Sequence, residues 1–114
     1  MKSTSINNDN YVLSEPILFI VFNRLNTTKK VFESIKHAEP PKLYIASDGP
    51  RDNKDDEKNN VLELREYILK NIDWNCEVKT LYREKNLGCK KAVSGAIDWF
   101  FSHEESGIIL EDDC

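Results

Sequence analysis

No run in this 114-residue chain approaches the length needed to span a membrane. The stretch from Met1 to Ser14 is polar and lacks the apolar centre of a secretory signal. Together these absences predict a cytoplasmic protein. Cysteine is scarce, and Cys76, Cys89 and Cys114 are odd in number with no Cys-x-x-Cys spacing, so neither a disulfide framework nor a zinc site is expected. Basic clusters interleaved with aromatics are absent too. With 16 basic against 20 acidic residues the net charge is −4, which argues against a surface that tracks nucleic-acid phosphates. Internal repeats and low-complexity tracts are also lacking. What remains, 39% hydrophobic and 32% charged residues, suits one compact domain with a modest core.

Along the chain, strand and helix patterns alternate, which predicts an α/β fold. Residues 1–14 read as a disordered or extended segment, apart from Tyr11 to Leu13. After Pro16, the run Ile17 to Phe22 is apolar without alternation, as a strand buried on both faces should be. Asn26 or Thr27 can cap a helix with Val31, Phe32, Ile35 and Ala38 on its inner stripe, and Pro40-Pro41 ends it. Leu43 to Ala46 is a second strand closed by the turn Ser47-Asp48-Gly49-Pro50. The charged stretch Arg51 to Asn60 is expected to be a solvated loop running into a helix that presents Val61, Leu64, Ile68 and Ile72. Cys76, Val78, Thr80 and Tyr82 alternate as an edge-like third strand. A turn at Asn86-Leu87-Gly88 precedes a third helix carrying Cys89, Val93, Ala96, Ile97 and Phe100. Gly107 to Leu110 forms a fourth strand, again apolar without alternation, and delivers Glu111-Asp112-Asp113 at its carboxyl end.

Right-handed crossovers place these strands in a doubly wound, mainly parallel sheet of order 3-2-1-4, flanked by helices in a three-layer α/β/α sandwich. Ligands bind such sheets where the strand order reverses. That rule gathers Asn23-Arg24, Asp48-Gly49 and the terminal acids at one crevice. Three anions in a row repel one another, and a bound divalent cation would compensate them.

The segments Pro16 to Arg24, Ala46-Ser47-Asp48-Gly49, Asn86-Leu87-Gly88 and Leu110-Glu111-Asp112-Asp113 together resemble the amino-terminal nucleotide-binding half of a GT-A-type glycosyltransferase. The likeness is nearest to enzymes whose Asp-x-Asp motif is written Glu-Asp-Asp, such as the N-acetylglucosaminyltransferase I group. It implies a Rossmann-like nucleotide-sugar-binding domain over residues 15–114, a nucleotide-diphospho-sugar donor, a Mn or Mg ion, and a glycan or other hydroxyl acceptor. By the same resemblance Asp113 is the metal ligand, while Asp112 and Glu111 contact the metal's waters, the ribose or the donor sugar. Asp48 accepts a hydrogen bond from the base, with Gly49 in the same turn. Asn23 and Arg24 lie near the base or phosphates, and Lys90 or Lys91 supplies positive charge to the diphosphate.

The resemblance stops at the carboxylate motif. Enzymes of that kind continue into an acceptor-binding region that holds the catalytic base, here expected beyond Cys114, so the chain is expected to be the donor half of an enzyme and inactive as a transferase by itself. Self-association through the fourth-strand edge is a further expectation. Two alternatives remain. A nucleotidyltransferase would carry a Gly-rich basic loop after the first strand, where Asn23 to Thr28 has no glycine. A receiver-like Mg-binding signalling domain would place its acidic pair there, where Asn23-Arg24 stands instead.

Overall fold

The computed structural model describes residues 14–112. Tyr11 to Leu13, Asp113 and Cys114 therefore lie outside the described residues. The element order is β1 (Ile17–Val21), α1 (Leu25–Ala38), β2 (Lys42–Ser47), α2 (Asp55–Lys70), β3 (Glu77–Tyr82), α3 (Cys89–Phe101) and β4 (Ile108–Glu111). All strand pairs are parallel and the sheet runs β3-β2-β1-β4. β1 is central because every one of its residues is apolar and buried, and it pairs Ile17 with Leu43 on one side and with Ile108 on the other.

Side chains alternate across a strand, so β1 serves two cores at once. Ile17, Phe19 and Val21 pack with Phe32, Ile35, Leu64 and Ile68 from α1 and α2. Leu18 and Ile20 pack with Tyr44, Ala46, Ala96 and Phe100 on the α3 face. Layers of helix, sheet and helix result, and the crossover through α3 carries the chain from one sheet edge, β3, to the other, β4. Ile108 and Ile109 on that second edge each keep 36% of their surface exposed. Among the described residues no helix is long and apolar enough to cross a membrane.

Three local expectations are corrected. The charged stretch is not all loop, because α2 begins at Asp55, and three acids in its first turn complement the positive end of the helix dipole. Neither Asn26 nor Thr27 caps α1. The cap position is Arg24, with no side-chain cap bond, and the buried hydroxyl of Thr28 points elsewhere. Cys76 is a free thiol, but Cys89 is disulfide-bonded.

Candidate functional site

Four connections converge above the carboxyl ends of the strands. Arg24 follows β1, Arg51 follows β2, Arg83 follows β3 and Asp112 follows β4, and all four line one crevice of about 410 Å³. That volume is within the range of small-ligand sites. The crevice lies over the carboxyl ends of β1 and β2 and reaches the point where the strand order reverses between β1 and β4 through Asp112, the side of the sheet expected for ligands of open parallel sheets.

Asp48 sits at the floor, 8% exposed. Its Oδ1 accepts from the Gly49 N–H at 2.8 Å and the Leu87 N–H at 2.9 Å, and its Oδ2 accepts from the Gly88 N–H and the Asn86 amide, both at 3.1 Å. A carboxylate offers about four lone-pair directions, so these donors saturate it. Asp48 thus clasps the β2 turn to the loop before α3, which leaves little capacity to accept from a bound base. Asn86 adds a bond from its amide to the Gly49 carbonyl at 2.8 Å. Gly49 is required by close approach: a Cβ there would stand 2.6 Å from the carbonyl carbon of Lys85.

Glu57, in the first turn of α2, is a second organiser, and it is only 5% exposed. It accepts from the Asn23 amide at 2.8 Å, from the Arg51 main-chain N–H and Nε at 2.9 Å, and from Arg51 Nη2 at 2.6 Å. One buried carboxylate therefore fixes two crevice residues from different loops and leaves the Arg51 guanidinium 5.9 Å from the Phe22 ring centre. The Arg51 hydrogen bonds hold the Glu57 carboxyl at about 2, below its ordinary value of 4.5, and outweigh the opposing effect of its burial. A carboxyl whose folded-state pKa is depressed stabilises the fold above its unfolded-state value and loses that contribution as pH falls through the folded value. Urea unfolding of Glu57→Gln should accordingly show a shallower loss of stability than the parent between pH 4.5 and about 2. Parallel curves for the two proteins would refute that role.

Arg65 of α2 braces the floor from behind. It donates from Nε to Ser47 Oγ at 2.9 Å and from Nη2 to the carbonyls of Ser47, Asp48 and Arg83 at 2.8–3.2 Å. Its guanidinium lies 4.7 Å from the Tyr82 ring centre. Burial lowers its pKa, and burial likewise pushes the Tyr82 hydroxyl up to about 12.

The terminal acids separate. Glu111 is level with Ile20 in the β1–β4 register and shares its α3-side face, where it borders a shallow depression with Lys90 and Asp98. Asp112 is turned to the other face, where its Oδ2 accepts from Thr28 Oγ1 at 2.7 Å and its N–H donates to the Ile20 carbonyl at 3.1 Å. Adjacent strand residues point to opposite faces, which is why the pair does not act as one cluster. Of the residues expected at the site, Asn23, Arg24, Asp48 and Asp112 line the crevice, and Gly49 is buried and does not line it. Lys90 and Glu111 border the other depression. Lys91 is exposed on α3 and Asp113 lies outside the described residues.

No protein-family model, curated protein or solved structure matches this chain. What the crevice can hold therefore follows from its own side chains. Three guanidinium groups line the crevice, that of Arg51 paired with Glu57, the Phe22 ring offers a flat apolar face, and Asp112 adds a carboxylate whose Oδ2 accepts from Thr28. Among the described residues no group of three or more His, Cys, Asp or Glu side chains is placed to hold a metal ion. A Mg-type ion does not need one, since such ions are commonly held by one or two carboxylates together with substrate phosphates and water. Asp112, oriented by Thr28, fits that arrangement.

Sequence reasoning missed Thr28, Arg51, Glu57, Arg65 and Arg83. Glu57 had a visible signal as the third acid of a run at a helix start, but the surrounding charge made the whole run look solvated.

Proposed function

We propose that the crevice binds the nucleoside-diphosphate part of a sugar nucleotide, and that the chain is the donor-binding half of a metal-dependent glycosyltransferase acting on an acceptor hydroxyl. The observation that carries this reading is the placement of one arginine after each of the first three strands and an aspartate after the fourth, all on one crevice. A nucleoside diphosphate concentrates negative charge beside a flat ring, and the crevice supplies cations beside an aromatic face. Arg83 offsets the phosphate charge, with Arg24 and the Glu57-paired Arg51 beside it on the crevice. Glu57 keeps Arg51 and Asn23 in place, and Asp48 keeps the two floor loops together. A Mn or Mg ion held by Asp112, with Asp113 as the further ligand implied by the resemblance, would supply Lewis-acid stabilisation of the departing diphosphate.

Calorimetry with uridine, guanosine and thymidine diphosphates, with and without Mn, tests the reading. At least one nucleotide should bind, and Mn should tighten it. Failure of all three to bind would remove the nucleotide assignment. Binding indifferent to Mn would remove the metal.

A further inference from the structure

Arg83 leaves the sheet from a fixed point. Its N–H donates to the Ser47 carbonyl at 3.0 Å and its own carbonyl accepts from Arg65 Nη2 at 2.8 Å, so its main chain is held on both sides. The side chain then crosses α3 at Gly95, where its Nη2 stands 2.8 Å from the position a Cβ would take. Glycine inside a helix is unfavourable relative to alanine, and this one makes room for a guanidinium.

The other cations near the crevice are committed differently. Arg24, on the same crevice, already has an interaction of its own, Arg51 is paired with Glu57, and Arg65 is occupied by three carbonyls and a hydroxyl. Lys90 borders the separate depression and Lys91 is exposed on α3. Arg83 lines the crevice itself, and among the described residues its guanidinium has no acceptor.

We infer that Arg83, seated against Gly95, is the group that grips the phosphates of the crevice's ligand, in the place first assigned to Lys90 or Lys91. A planar guanidinium can meet two phosphate oxygens at once, which an exposed ammonium on a flexible stem does less well. The inference rests on the reading of the crevice as a diphosphate site, so inorganic pyrophosphate serves as a probe that contains no base or sugar.

Calorimetry of the full chain with Mg-pyrophosphate and Mg-uridine diphosphate is the test. Arg83→Gln should weaken both by about tenfold or more, the usual scale for a lost charge-assisted pair, and Arg83→Lys should recover part of the loss. Gly95→Ala should weaken binding similarly while the melting temperature holds or rises, because alanine is the better helix former and the displaced atom is the tip of a flexible side chain. A purely structural role for Arg83 would instead lower melting temperature and affinity together. Unchanged pyrophosphate affinity in Arg83→Gln overturns the inference and leaves the diphosphate site standing. Pyrophosphate binding that depends on Arg83, with no nucleotide bound, supports the inference and removes the nucleotide reading. A parent protein that binds neither probe overturns both.

Discussion

Asp48→Ala is expected to destabilise the protein by about 3–5 kcal/mol, the scale for stripping a buried charge from its hydrogen-bonding partners. The loss should appear as a lower urea midpoint with an unchanged slope. Four donors lose their acceptor at once: the main-chain N–H groups of Gly49, Leu87 and Gly88, and the Asn86 amide. Because the loop they belong to forms one wall of the crevice, ligand binding should disappear even under conditions where the variant stays folded. Asp48→Asn should recover little, since an amide replaces one acceptor with a donor aimed at other donors. A loss below about 1 kcal/mol, no more than one ordinary hydrogen bond, would mean that the loop is held by something else.

Gly49→Ala is expected to cost about 3 kcal/mol, at the upper end for an overpacked site. The new methyl would stand 2.6 Å from the carbonyl carbon of Lys85 and 2.7 Å from the carbonyl carbon and oxygen of Glu84. These are main-chain atoms in a segment fastened by the Asn86 and Leu87 bonds to the Asp48–Gly49 turn, so no side chain can swing away to relieve the contact. Thermal unfolding gives the measurement, and a melting temperature equal to the parent's would show that the two loops are not pressed together. In the double variant Asp48→Ala/Gly49→Ala the combined loss should fall short of the two separate losses, because a loop already released by the first change no longer resists the second.

The sheet and its order were legible because burial on both faces leaves an unmistakable mark: Ile17 to Val21 contains no polar residue. With the crossover rule, that was enough to place β4 beside β1. The site was legible only as a neighbourhood. Asn23, Arg24, Asp48 and Asp112 were expected at one crevice and line it, but their chemistry depends on partners that adjacency in sequence does not reveal. Asp48 is bonded to Asn86, Leu87 and Gly88, 38 to 40 residues away, and Asp112 to Thr28, 84 residues away. Glu111 and Asp112 could have been separated from sequence by strand alternation. Reading the three acids as one charge cluster obscured that geometry.

The α3 face carries one more consequence. At the crevice end, Asp48 of the turn after β2 holds the residues leading into α3. At the far end, β2 reaches the helix's exit through Glu104, which accepts from the Tyr44 hydroxyl at 2.6 Å and from Lys42 Nζ at 3.2 Å. β2 therefore acts as a ruler for α3, fixing both where the helix starts and where it stops. A helix pinned this way cannot slide or tilt as a rigid body without breaking charge-assisted bonds at one end or the other. Entry of the ligand proposed for the crevice would then be accommodated by side chains and loop tips, against a wall whose ordering cost was met when the protein folded.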